Sequence, residues 1–280
     1  MKSKIHFFFI LVLWLILPLA TAGSGVTQAK SMGDRLRVGD DSQIGPTFTV
    51  NTTEDSDDVC TISHCSLREA INAANAQAGP NSIIFAPAAY GTISPATALP
   101  IIIDDLVIGG PGVGYLILNG ALVTHHSLLR VNSGSLYLSG FTVWQGGSNM
   151  NPAGGALLAT GTSQVSLNSM RFNENRAQFG GALALYNGAT LNHVEFYGNQ
   201  AMAGDGGAIV AFNDTVTIHN TSFNSNSASD RGGAIYMMGN FLNIYTSEFG
   251  DNTAVNGGAI YAEARPTIDR SRFLGNQATT

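Results

Sequence analysis

Residues 206–228 read GGAIVAFNDTVTIHNTSFNSNSA, and residues 232–254 read GGAIYMMGNFLNIYTSEFGDNTA. Laid over one another, they agree at Gly-Gly-Ala-Ile, at Ile218 and Ile244, at Phe223 and Phe249, at Asn226 and Asn252, and at Ala228 and Ala254. The pattern extends in both directions. Gly-Gly-Ala begins at Gly154, Gly180, Gly206, Gly232 and Gly257, with spacings of 26, 26, 26 and 25. Phe-x-x-Asn interleaves with it at Phe172/Asn175, Phe196/Asn199, Phe223/Asn226, Phe249/Asn252 and Phe273/Asn276. Alanine follows each asparagine by two places (Ala177, Ala201, Ala228, Ala254, Ala278). An aliphatic residue precedes each phenylalanine by five (Leu167, Leu191, Ile218, Ile244, Ile268). Columns held through five units define a structural repeat.

Between the Gly-Gly pairs the residues alternate, as in Val165-Ser166-Leu167 and Leu242-Asn243-Ile244, which is strand periodicity. Short strands broken by turn residues, one coil per unit, predict an all-β chain forming a right-handed parallel β-helix solenoid. Each column then has a physical task. The Phe residues stack inside, burial contributing about 2–3 kcal/mol each. The Asn residues stack at a turn and tolerate left-handed backbone, and Gly-Gly supplies a corner with positive φ over a small alanine. Leucine-rich and helical repeats need other residues, and a propeller blade is longer.

Composition narrows the function. Only 11% of the 280 residues are charged, and lysine occurs at Lys2, Lys4 and Lys30 alone. So few cations cannot neutralise a phosphate backbone, so no nucleic-acid partner is expected. With 44% hydrophobic residues, including 14 Phe, the chain can build a core. Lys2 and Lys4, the apolar run Phe7–Leu17 and Ala20-Thr21-Ala22 predict a signal peptide over 1–22, followed by a polar linker over 23–46. Cleavage removes two lysines and takes the net charge from −6 to −6 − 2 = −8. No transmembrane segment is expected beyond the signal. Cys60 and Cys65, the only cysteines, then enter an oxidising compartment and read as a local disulfide, with His64 incidental between them.

Residues 47–80 read as an N-terminal cap. Ser66 and Glu69 form a capping box, and Leu67, Ala70, Ile71, Ala74 and Ala78 share one face of a short capping helix that Gly79-Pro80 stops. Residues 81–280 read as the β-helix, regular in 25–26-residue coils from about residue 150.

Cys65-Ser66-Leu67-Arg68-Glu69-Ala70-Ile71, followed by Ala74-Asn75, resembles the CSLREA-type N-terminal domain of secreted bacterial right-handed β-helix proteins. The Gly-Gly-Ala-Ile and Phe-x-x-Asn units are similar to the passenger repeats of chlamydial polymorphic outer-membrane proteins. The resemblance implies a secreted or cell-surface protein of a bacterial envelope, acting as adhesin, stalk or envelope component, with cell-surface glycans or proteins as partners. The C-terminal β-barrel of those proteins has no counterpart here, and an uncapped coil at Phe273 predicts self-association through its strand edge.

The fold also hosts polysaccharide lyases and glycoside hydrolases, and these are the alternative reading. Paired carboxylates are its test. Glu195 and Glu248 share a column two coils apart, and Glu174 and Asp251 share another three coils apart. Asp104-Asp105 sits beside a strand and reads as its solvent terminus, and His125-His126 as a solvated turn. Asp55, Asp57 and Asp58 read as a solvated loop rather than a calcium site. Arg171, Arg176, Arg231, Arg265, Arg270 and Arg272 show no consistent register with acids. Tyr115, Tyr137, Trp144, Tyr186, Tyr236, Tyr245 and Tyr261 divide between core and sugar-stacking surface. The sequence therefore favours a non-enzymatic protein with no catalytic residues, metal site or cofactor.

Overall fold

A computed structural model describes residues 45–263 and 265–279. The signal peptide and residues 23–44 of the expected linker lie outside the described residues. The chain winds as a parallel β-solenoid. All strand pairs are parallel and connect equivalent positions of successive coils. One sheet of 15 strands, one of six and one of five run along the axis. The longest row passes through nine strands, from Thr47–Val50 to Thr267–Asp269.

Register explains the repeat. Leu167 pairs with Leu191, Leu191 with Ile218 and Ile218 with Ile244. Phe172, Phe196, Phe223, Phe249 and Phe273 stack with ring centroids 5.1, 4.8, 4.7 and 4.7 Å apart, near the spacing between hydrogen-bonded strands. The first four of these rings are fully buried.

The two glycines of each corner have different causes. Gly154, Gly180, Gly206, Gly232 and Gly257 sit at φ 57–69°, where an added Cβ would also lie 2.1–2.3 Å from a carbonyl oxygen three residues on. The second glycine has no positive φ. At Gly181, Gly207 and Gly233 the added Cβ would fall 2.0–2.3 Å from a glycine carbonyl oxygen of the next coil. Close stacking, rather than turn shape, excludes a side chain there.

The asparagines themselves are not left-handed. That conformation belongs to the residue before each: Glu174, Ser225 and Asp251 at φ 52–55°, and Gly198 and Gly275 at 64° and 66°. A second left-handed column, Ser169, His193, Asn220, Thr246 and Arg270, bends each coil three residues before its phenylalanine.

Among the described residues one α-helix, α1 (Leu67–Asn75), packs on the strands Thr47–Val50 and Asn81–Phe85. Ser66 Oγ accepts from Glu69 N at 3.1 Å, and Glu69 Oε2 accepts from Ser66 N at 2.8 Å. Arg68, almost fully buried, holds Asp55 through two bonds of 2.8 and 2.9 Å and donates to the carbonyls of Thr97 and Ala98. The helix is shorter than the apolar face suggests, and Ala78 is exposed. Buried Asn81 is the reason: its Nδ2 takes the carbonyls of Ala74, Gln77 and Gly79, giving the chain an early exit from the helix.

Candidate functional site

The interior of the regular coils is chemically closed. Each Asn amide in the ladder donates to the next Asn Oδ1 at 2.8–3.0 Å, from Asn175 through Asn199, Asn226 and Asn252 to Asn276. The backbone N–H of each donates to that same oxygen at 3.0 Å. The second Nδ2 hydrogen of Asn199, Asn226, Asn252 and Asn276 goes to a phenylalanine carbonyl of the preceding coil, at 2.8–3.1 Å. Function must therefore be sought on the outer face.

Two outward columns carry charge. Beside the phenylalanines run Arg171, Glu195, Ser222, Glu248 and Arg272, paired in register. Arg171 Nε reaches Glu195 Oε2 at 2.7 Å, and Arg272 Nη1 lies 3.9 Å from Glu248. Arg171 and Arg272 thus do have a register with acids, contrary to the sequence reading. The column is readable in the sequence by stepping back one residue from each ladder phenylalanine, where Arg171 and Arg272 stand in line with Glu195 and Glu248. A shallow groove follows this column, walled by His193, Asn220 and Thr246 at the bend.

At the Gly-Gly corner, Arg231 chelates Asp205 at 2.8 and 3.0 Å, lies 3.5 Å from Glu263 and stacks over the rings of Tyr236 and Tyr261. The Asp205 hydrogen bonds raise the guanidinium pKa above its ordinary value. Burial, then the bond from Tyr236 Oη to Glu263 at 2.7 Å, raises the phenol pKa. Tyr236 belongs wholly to this packed network, while Tyr115 is 64% exposed.

The other candidates disperse. Asp104 accepts from Gly79 N and Asp105 N, and Asp105 accepts from Ser135 N at 2.6 Å, so both carboxylates tie backbone turns. His125 and His126 are exposed. Asp55 serves Arg68 and Ala96 N, Asp57 serves Asn72, and Asp58 gives its N–H to Glu69 Oε1, so the three acids face separate partners. Cys60 and Cys65 are bonded to one another. Among the described residues, no group of three or more His, Cys, Asp or Glu converges as a metal site.

A second groove lies where the irregular coils meet the regular ones. Gln145, Ser148, Asn149, Glu174, Arg176 and Met202 line it. Glu174 Oε2 accepts from Trp144 Nε1 and Gln145 Nε2, both at 3.2 Å. Composition alone hides this site, because it depends on Gln145 and Glu174 occupying one corner column 29 residues apart.

No curated protein matches the chain. Three stretches, residues 193–211, 220–237 and 246–263, match the family model of the Chlamydia polymorphic membrane protein (Chlamydia_PMP) repeat. Each stretch begins at a left-handed bend residue, His193, Asn220 or Thr246, and runs through the Phe, Asn and Gly-Gly columns into the six-stranded sheet.

Proposed function

We propose that the chain is a secreted or surface-displayed β-solenoid of a bacterial envelope that acts without catalysis, as an adhesive or stalk-like element. The observation that carries this reading is the coincidence of the polymorphic membrane protein repeat with three successive coils of one parallel stack. Such a stack presents long, regular outer columns while its own polar groups are consumed internally. Among the described residues, no helix is long and apolar enough to cross a membrane. Its partners are cell-surface glycans or proteins.

Antibodies against the regular coils test display. Intact cells expressing the full chain should label, and beads coated with it should adhere to cells. Labelling only after lysis would overturn the reading. A panel of uronate and neutral polysaccharides, with and without Ca²⁺, should yield neither unsaturated products nor new reducing ends. Turnover would establish the lyase or hydrolase alternative instead.

A further inference from the structure

We infer that the groove at Glu174 and Arg176 binds an oligosaccharide bearing a carboxylate group. The inference rests on the glycan partners of the proposed function and deepens that reading, since it assigns a ligand class to one place on the solenoid.

Its wall is built by stacking. Gln145 and Glu174 both hold φ 52°, one coil apart at the same bend, so their side chains emerge together. The Trp144 and Gln145 N–H groups fix one carboxylate oxygen of Glu174, and Oε1 accepts nothing among the described residues. The Gly146–Asn151 loop continues the wall from Gln145. Gly146 N donates to Asn175 Oδ1 at 2.8 Å, and Gln178 Nε2 donates to Asn149 O at 3.4 Å. An added Cβ at Gly147 would lie 2.4 Å from Arg176 O, so the loop crosses close over the coil. Ser148 and Asn149 of this loop line the groove, as does Met202.

Arg176 decides the ligand. Arg171, Arg231, Arg270 and Arg272 each lie within 4.0 Å of an acid. Arg176 is exposed on the groove wall and enters no ion pair among the described residues. The Ser148 hydroxyl is spent on Thr124 O and Met150 N, but one acceptor carboxylate and the carboxamides of Gln145 and Asn149 match the alternating donors and acceptors of sugar hydroxyls. The uncommitted guanidinium matches a carboxylate on the same ligand through two parallel hydrogen bonds.

Trp14 and Trp144 are the only tryptophans. In the full chain carrying Trp14→Phe, Trp144 emission therefore reports on the groove alone. Titration with tetragalacturonate should change that emission saturably, and its fully methyl-esterified form, the same sugar without charge, should bind about tenfold more weakly, the difference expected of one charge-assisted pair. Arg176→Ala should erase the preference between the two probes, and Glu174→Gln should weaken both. Calorimetry on the same variants gives a second readout, and their unchanged circular dichroism would show intact folding. No saturable response at millimolar tetragalacturonate overturns the inference, as does binding indifferent to both substitutions. Neither outcome depends on surface display, so failure of this site and failure of the proposed function are distinguishable.

Discussion

Asn226 accepts at Oδ1 from the backbone N–H and the amide of Asn199, and donates to Phe196 O and Asn252 Oδ1 at 3.1 and 3.0 Å. All four partners are buried, so alanine leaves Asn199 N, Asn199 Nδ2 and Phe196 O without water or replacement, while Asn252 Oδ1 keeps only the backbone N–H of residue 226. Asn226→Ala should cost about 4 kcal/mol in urea unfolding, well above the ~1 kcal/mol of an ordinary hydrogen bond. A loss under 1 kcal/mol would mean that the ladder is decoration. Thr246 has the opposite lesson. It is a β-branched residue at φ 51°, exposed, in a column where Asn220 occupies the same position at 49°. Thr246→Asn should therefore raise stability by about 1 kcal/mol, read as a higher urea midpoint. An unchanged midpoint would show that the bend imposes no strain.

At the scale of elements, α1 is fastened by charge rather than by length. Burial pushes the Glu69 carboxyl up, but N–H bonds from Ser66 and Asp58 outweigh it and hold its pKa below the ordinary 4.5. Because the folded pKa is the lower one, Glu69 contributes stability above that ordinary value and loses it as pH falls through the folded value. Glu69→Gln should cost about 2 kcal/mol at neutral pH. It should also flatten the acid limb of a urea-midpoint profile, and an acid limb as steep as the native one would refute the assignment. The outer charge column is a second element, reading Arg171, Glu195, Ser222, Glu248, Arg272, with an uncharged centre between two glutamates. Ser222→Lys should complete the alternation, adding about 0.5 kcal/mol that vanishes at high salt. Sequence made the capping box legible through Ser66 and Glu69, since three-residue spacing is local. It hid Arg68 to Asp55 and Asn81 to α1, because no local period announces those pairings.

The whole molecule was legible wherever one column repeats one task. Phe172 to Phe273 and Asn175 to Asn276 announce a stack because each coil presents the same demand to the next. The second groove was not legible: Gln145 belongs to an irregular coil with no Gly-Gly-Ala mark, and Glu174 meets it only after one full winding. The same logic predicts what removal does. Each coil touches only its neighbours, so stability is a sum of nearest-neighbour terms. Deleting residues 180–205 removes one Gly-Gly to Gly-Gly interval of 26 and joins Phe179 to Gly206. Phe172 then stacks on Phe223, and Asn175 meets Asn226. The Arg171–Glu195 and Arg231–Asp205 pairs are lost, but both arginines are at least 30% exposed and cost little to release. The shortened chain should still unfold in one cooperative step, with a urea m-value lower by about one tenth, in proportion to the surface removed. Deleting 193–205, half a coil, brings no equivalent strands together and should abolish the transition. If both deletions unfold the chain alike, the coils do not act as interchangeable units.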